Sequence, residues 1–475
     1  MRSFYTTPQN ILLDQLQGDF PDLALIKGRK HYQCAELHKG NCDEDAPCKR
    51  NANYICRDKY ERCSYWIAKQ TAIAAQTALT NFAYFVGESF IHGIPNVPQF
   101  GNRELLVIDE GHSIDQHILN FISITVSNRT LPYPVFQSMK KTLLSLPKRL
   151  HQEQIDDLFE ETISYCLDYL KTLPEELTEE QVQDEKKTRD FLQRVKTYQN
   201  NIDADWIGQI ETGTYRRRIW VRAKIQPIYV KNFMHQYLWK RANRFIVSSA
   251  TIFKDDFVKE CGLSEHADEV CYTYVPSIFP IQNRMIIDAT AGSLSWNKKK
   301  EILPAALDTI SKILTIEPGK GIIHAHSYGF AEAIRNGVPN SRLMFHTSQE
   351  RDEALNDFLD APPESGAVLV AVAMTEGLDL KGDLANFQIM FKCPYANYVA
   401  DLRVYRRLKE LHHNKWYAIQ TLKTIVQAYG RAVRSPTDKA NFYIIDSDIN
   451  RTCKRWHRQL PKFFKEAYDA RKSFL

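Results

Sequence analysis

The chain has 475 residues and a mass of 55.1 kDa, with 44% hydrophobic and 25% charged residues, a globular composition long enough for about three domains. No run approaches the ~18 unbroken apolar residues of a membrane span, Gln76, Thr80 and Asn81 interrupting the most apolar early stretch, and Met1 to Tyr5 leads straight into Thr-Thr-Pro-Gln. The expectation is therefore an intracellular, cytoplasmic protein of a reducing compartment with no membrane partner, neither secreted nor largely disordered; a net charge of +5 leans only mildly toward a polyanionic partner.

Residues 2–7 read as a short strand ending at Pro8, followed by a helical pattern through Phe20. Residues 28–63 are polar and aperiodic, and they hold Cys34, Cys42, Cys48, Cys56 and Cys63 at intervals of 8, 6, 8 and 7. Structural zinc usually shows C-x2–4-C knuckles, which these intervals lack. Disulfides do not suit a reducing compartment. Wide, irregular spacing suits a cluster cage fed by thiolates from separate loop segments, with zinc open as an alternative. The scattered Cys166, Cys261, Cys271, Cys393 and Cys453 read as small hydrophobes.

Residues 65–78 are rich in good helix formers. Residues 105–108 form a short apolar run ending in Asp109-Glu110, the pattern of a buried parallel strand whose C-terminal end presents carboxylates. Residues 113–205 carry helical patterning without strand alternation, and the charge run 175–190 reads as a solvated helix face. In 214–226, Ile219, Val221, Ala223 and Ile225 alternate with Arg218, Trp220, Arg222 and Lys224, which predicts a strand with one basic face. From 285 onward, apolar runs at 285–287, 321–324, 367–372, 388–391 and 441–445 alternate with helical segments such as 299–314 and 422–428. That is the rhythm of a parallel sheet covered on both faces.

Four motifs carry chemistry. Asp109-Glu110-Gly111-His112 at a strand mouth suits Mg2+ holding and the orientation of an attacking water. Ser248-Ser249-Ala250-Thr251 breaks an apolar strand into small hydroxyl residues. Thr375-Glu376-Gly377-Leu378-Asp379 follows another strand. In Gln427-Ala428-Tyr429-Gly430-Arg431-Ala432-Val433-Arg434, two arginines three apart are expected on one helical face; guanidinium groups suit phosphoryl-transfer charge.

In this order the motifs resemble the XPD/DinG branch of superfamily 2 helicases. Thr6-Thr7-Pro8-Gln9 is similar to motif Ia, and Lys27 to Cys34 to the entry of the iron–sulfur domain. Thr80-Asn81-Phe82-Ala83-Tyr84 resembles the stretch that follows it. Asp109 to His112 resembles the DEAH box, Ser249-Ala250-Thr251 motif III, Gly321 to Ser327 motif IV, Thr375 to Asp379 motif V, and Gln427 to Arg434 motif VI.

The resemblance implies an α/β fold with two RecA-like parallel-sheet domains, an inserted iron–sulfur module and a helical arch. The first RecA-like domain would take 1–27, 81–112 and 236–260, the module 28–80, the arch 113–235 and the second RecA-like domain 270–475. It implies an ATP-dependent DNA helicase acting on single-stranded or forked DNA. Asp109 would hold Mg2+ through water, Glu110 would orient or deprotonate the hydrolytic water, and His112 would couple the site to the second domain. Gln427, Arg431 and Arg434 would reach the ATP phosphates. Ser249, Thr251, Glu376, Gly377 and Asp379 would link nucleotide state to DNA grip. Cys34, Cys48, Cys56 and Cys63 would ligate a [4Fe–4S] cluster, with Cys42 the spare, and Thr7, Arg29, Thr80, Asn81, Arg222 and Ser327 would contact DNA.

One departure stands out. No G-x4-G-K-[ST] P-loop occurs, and Pro318-Gly319-Lys320-Gly321 reads as a turn before a strand. The expectations are a P-loop on a separate polypeptide, a truncated helicase, or a non-hydrolysing single-strand binder derived from one.

Overall fold

Short apolar runs without a polar face need cover on both sides, and they set the frame of the protein. The computed structural model describes residues 1–475 except 38–39, 44–45, 51–53, 57–60, 91–98, 216–217, 373, 375–379, 381 and 475. Two units result. Unit 1 comprises Met1–Ser249, Phe257–Val270 and Tyr398–Arg407; unit 2 comprises Ala250–Asp256, Cys271–Asn397 and Leu408–Leu475.

Unit 1 contains, in chain order, β1 (Ser3–Thr7), β2 (Ala24–Leu25), β3 (Thr77–Asn81), β4 (Arg103–Ile108), β5 (Ile124–Val126), β6 (Arg149–Leu150), β7 (Trp206–Tyr215), β8 (Arg218–Pro227) and β9 (Ala242–Val247). A parallel sheet runs β2-β3-β1-β4-β9. Thr6 stands opposite Ile108, so β1 and β4 end side by side. Arg103 locks the opposite end. Its buried guanidinium donates to the Ser3 and Ala72 carbonyls at 2.7 Å and lies 4.6 Å over the Phe4 ring; burial brings its pKa down to about 10.

Two expectations change here. The helix predicted for 65–78 is Ser64–Ala74, because Ala75 turns extended and Gln76 O accepts from Ser3 N at 2.8 Å, which starts β3 alongside β1. β3 therefore belongs to the parallel sheet and not to a module reaching residue 80. The region 113–205, read as helical, also holds the short strands β5 and β6, while β8 falls on the strand expected over 214–226. Beside the helices Gln152–Thr172 and Glu179–Tyr198, these strands join β7 in an antiparallel sheet, β5-β8-β7-β6. With three and two residues, β5 and β6 are too short to display alternation. In β8, Val221, Ala223 and Ile225 are buried while Trp220 and Arg222 are exposed; Ile219 departs from the pattern and is exposed.

The segment Tyr398–Arg407 joins unit 1 rather than the expected second domain. Arg407, fully buried, is held in a two-point ion pair by Glu260 at 2.6 and 2.8 Å, Arg403 Nε donates to Ile228 O at 3.1 Å, and Leu402 N donates to the Gln209 amide oxygen at 3.0 Å. A buried guanidinium needs such a carboxylate, and only long-range packing supplies it.

Unit 2 contains β10 (Ile286–Gly292), β11 (Gly321–His324), β12 (Leu343–Phe345), β13 (Val368–Ala371), β14 (Phe387–Met390), β15 (Asn441–Asp446) and β16 (Lys472–Ser473), in a parallel sheet ordered β12-β13-β11-β14-β15-β10-β16. Every residue of β11, β13 and β14 is buried. Helix Lys299–Ile316 buries Ala306, Ile310, Ile313 and Leu314, one apolar stripe at helical spacing. Lys320 immediately precedes β11. Its fully buried ammonium donates to the Phe358 and Ala361 carbonyls at 2.6 and 2.7 Å, capping the end of helix Arg351–Asp360. Among the described residues, no helix is long and apolar enough to cross a membrane.

Candidate nucleotide site and nucleic-acid contacts

In open parallel sheets, ligands bind beyond the C-terminal ends of the strands. At that edge of unit 1, Asp109 follows β4 and its backbone N–H donates to Thr6 O at 2.8 Å. Ser248, directly after β9, donates its hydroxyl to Asp109 Oδ1 at 2.9 Å. Ser249 donates to Glu110 Oε2 at 3.0 Å, and His112 Nδ1 lies 2.8 Å from Ser249 Oγ and 3.1 Å from Glu110 Oε2. Glu110 sits in the left-handed region at φ 51°, a conformation a non-glycine residue holds only when its surroundings over-determine it. Those surroundings are Gly111 N donating to Ser248 O at 3.0 Å and Ser248 N donating to Ile108 O at 2.9 Å. Gly111 has no room for a side chain: a Cβ there would meet Val247 Cγ1 at 2.2 Å. Burial raises the Asp109 pKa, the Glu110 charge adds to the rise, and the Ser248 hydrogen bond opposes it.

The expected residues Asp109, Glu110, His112 and Ser249 thus converge. Ser248, outside the expected set, joins them; the doubled serine after an apolar strand was its signal. Thr7 is buried beside them at the end of β1, its hydroxyl engaged with the Gln9 backbone at 3.3 Å. Thr80 is buried with an unpartnered hydroxyl. Asn81 caps the following helix by accepting from Tyr84 N at 2.8 Å.

Cys34 and Cys42 are buried, and Cys48, Cys56 and Cys63 are half-buried. Burial raises the Cys34 thiol, with Cys48 and Cys63 adding to the rise. Burial pushes Cys42 up to about 11, the Arg29 charge opposes this, and Cys63, Cys48 and Cys34 add to it. Arg29 lies 4.4 Å over the Tyr65 ring with Nη1 3.7 Å from Cys42 Sγ. Cys42 is therefore within electrostatic reach of three of the expected ligands. Among the described residues, no three His, Cys, Asp or Glu side chains are arranged to hold a metal ion. Thiols offered from separate turns are nevertheless the donor chemistry of a thiolate-held group.

In unit 2, helix Asn414–Tyr429 carries the buried Gln427 and ends at Gly430. Arg431 and Arg434 lie in the turn beyond it, so they do not share a helical face. Asp438 holds that turn by accepting from Arg434 N at 2.8 Å and Ser435 N at 2.7 Å. Thr251 is buried. Ser327 caps helix Tyr328–Gly337, accepting from Phe330 N at 3.3 Å. In unit 1, Arg222 pairs with Glu211 at 2.6 Å. Glu376, Gly377 and Asp379 lie outside the described residues.

Residues 310–467 match the Helicase C-terminal domain family, and residues 49–131 match DEAD_2. The chain is 26% identical over 155 residues to the ATP-dependent DNA helicase CHL1 of Saccharomyces cerevisiae (strain YJM789), covering 28% of this chain and 17% of that protein. It is 27% identical over 140 residues to the Fanconi anemia group J protein homolog of Gallus gallus, covering 26% of this chain and 11% of that protein. The chain belongs to the XPD/DinG-type superfamily 2 helicases. Its matches span less than a fifth of either relative's length. Among solved structures, the S. tokodaii Xpd4 structure aligns at TM-score 0.57 and 12% identity over 100% of this chain and 90% of its own. An XPD helicase structure aligns at 0.61 and 13%, over 100% and 91%. At these identities the likeness concerns the fold, and it accords the XPD/DinG-type chain two RecA-like sheets.

Proposed function

We propose that this chain is the motor of an ATP-dependent DNA helicase that moves along single-stranded or forked DNA. The observation that carries the reading is the cluster of Asp109, Glu110, His112, Ser248 and Ser249 at the C-terminal edge of a parallel sheet. Asp109 would hold Mg2+ through water, the cation reversing the rise that burial imposes on the carboxylate. Glu110, aimed by Ser249 and His112, would orient the hydrolytic water and take its proton. Gln427, Arg431 and Arg434 would meet the phosphate charge, with Arg434 as the finger. Thr251, Glu376, Gly377 and Asp379 would relay nucleotide state to the DNA contacts.

Hydrolysis also needs a cradle for the β- and γ-phosphates. Lys320, the lysine of the one Gly-Lys pair, is fully buried and spent on helix carbonyls. The cradle would come from sequence beyond these 475 residues, on the same polypeptide or a separate one. Cys34, Cys48 and Cys63, with Cys42 or Cys56 as the fourth, would hold a [4Fe–4S] cluster. Such a group would tie the polar 28–63 segment together where apolar burial is scarce. Cys42 enters the choice through its electrostatic coupling to Cys34, Cys48 and Cys63 and its contact with Arg29, while Cys56 has a partner of its own.

The test is single-strand-stimulated ATP hydrolysis by the anaerobically purified chain together with the product of the upstream reading frame. Glu110→Gln is expected to lower kcat by about 10²–10⁴-fold while ATP still binds. Undiminished turnover rejects Glu110 as the catalytic carboxylate.

A further inference from the structure

The antiparallel sheet of unit 1 has strands of unequal reach. β7 and β8 pair without a register shift from Trp206–Pro227 out to Tyr215–Arg218, whereas β5 flanks β8 only over Ala223–Ile225 and β6 flanks β7 only at Gly208 and Gln209. The far half of this hairpin is a two-stranded arm. Its apolar face runs out along the way: Ile210, Val221 and Ala223 are buried, and Thr212, Thr214 and Ile219 beyond them are exposed. Two strands alone are marginal in water, and here cross-strand pairs hold them together. Arg222 pairs with Glu211 at 2.6 Å. The Trp220 ring lies across Gly213, where a Cβ would meet it at 2.6 Å.

One edge of the arm is left open. Ile210 N donates to Lys148 O at 2.9 Å, on the side of β7 away from β8. In an antiparallel strand every second residue turns its N–H and C=O to the same side. Thr212 and Thr214 therefore direct theirs to the edge beyond the end of β6. Among the described residues, no strand and no loop backbone bonds them there. Exposed edges are commonly closed by proline or a bulge. Ile210-Glu211-Thr212-Gly213-Thr214 has no proline, its register with β8 is unbroken, and Ile and Thr favour the extended chain.

Charge selects the occupant. Lys148 is exposed at one end of this edge, and at the other the sequence continues into Arg216-Arg217-Arg218. Over residues 206–227, five cations stand against the single carboxylate of Glu211. A second copy laid antiparallel along the same edge would set the arginines of each arm toward Lys148 of the other. A phosphate backbone would meet the cations but would bring only acceptors to the Thr212 and Thr214 carbonyls. A peptide strand with carboxylates toward its ends satisfies both the charge and the backbone.

We propose that the open edge of β7, Ile210 to Thr214, takes up an extended acidic segment of a partner protein as an added strand, with Thr212 and Thr214 supplying the backbone hydrogen bonds. The ion pair and the Trp220–Gly213 contact hold the edge extended beforehand, which lowers the ordering cost of docking. This surface does not depend on the helicase reading.

The test uses the full chain and a fluorescent peptide of about eight residues, with two carboxylate side chains at each end of alternating Val and Thr. A second peptide of the same sequence is N-methylated at its central residues, which keeps the charge and removes the donors. Fluorescence anisotropy should show wild type binding the methylated peptide roughly 10-fold more weakly. Thr212→Pro takes away an N–H on the open side and spares the ladder with β8; it should weaken the unmethylated peptide about 10-fold. Lys148→Glu should weaken it about 5-fold at low salt. Bound peptide should slow hydrogen exchange over residues 206–215, read by mass spectrometry. Equal binding of the two peptides by wild type, or unchanged exchange over 206–215, overturns the added strand whether or not Thr212→Pro folds. So does the absence of peptide binding at about 1 mM. Protection of 206–215 that rises with protein concentration alone assigns the edge to a second copy. Protection by an oligothymidine of about 15 nucleotides and not by the peptide assigns it to nucleic acid; either result overturns the proposal.

Discussion

Gly111→Ala perturbs the carboxylate cluster through one atom. The new Cβ would lie 2.2 Å from Val247 Cγ1, where carbon contacts are comfortable at about 3.5–4.0 Å. More than about 1 Å must be recovered, by turning the Val247 side chain or by moving β9 away from β4. The second route stretches the Gly111–Ser248 hydrogen bond of 3.0 Å, and with it the Ser248–Asp109 contact of 2.9 Å. Overpacking of this size costs about 1–3 kcal/mol. For a unit of this size, 2 kcal/mol corresponds to a fall of roughly 4–8 °C in Tm. Differential scanning calorimetry of the unit 1 transition measures it, and Val247→Ala in the Gly111→Ala background supplies the control. Removing Cγ1 should recover more than about half of the loss, a non-additivity expected only of residues in contact. A Gly111→Ala melt within about 1 °C of wild type, or strict additivity of the two substitutions, would refute the argument.

Two further outcomes are expected. Iron measured per chain after anaerobic purification should fall sharply in one of Cys42→Ser and Cys56→Ser and persist in the other, which identifies the fourth ligand; full iron in both refutes a four-thiolate cluster built on either. His324, whose pKa burial lowers to about 4, is neutral in the fold and protonates near pH 6.5 once unfolded. Its contribution is therefore complete above pH 6.5 and is lost as pH falls toward 4, by up to about 3 kcal/mol. Thermal melts from pH 7 to 4 should show the unit 2 midpoint dropping through that window and the slope flattening in His324→Gln; an unchanged slope removes His324 as a cause.

What was legible in the residues had a local origin. Val368–Ala371 and Phe387–Met390 are buried on both faces, so their apolar runs announced parallel strands without any partner in view. Asp109-Glu110 at the end of such a run announced a site at a strand mouth, and the doubled serine at 248–249 marked the element that meets it. Lys320 could be told from a phosphate-binding lysine because the glycine and hydroxyl around it were wrong.

Tertiary structure decided what depends on distant partners. Helix Ser64–Ala74 stops where it does because Gln76 is claimed by Ser3, more than seventy residues earlier. Tyr398–Arg407 leaves its sequence neighbours because Arg407 finds Glu260. Arg431 and Arg434 share spacing but not a helix, since Gly430 ends it and Asp438 holds the turn. Cys42 reads as a spare by motif, and folding brings it within electrostatic reach of Cys34, Cys48 and Cys63. Periodicity and turn chemistry are properties of a few consecutive residues, and the sequence by itself determined what they govern: the strands, the motif order and the family. Which buried charge or thiol meets which partner is set by the closing of the chain on itself, and only the folded structure decided that.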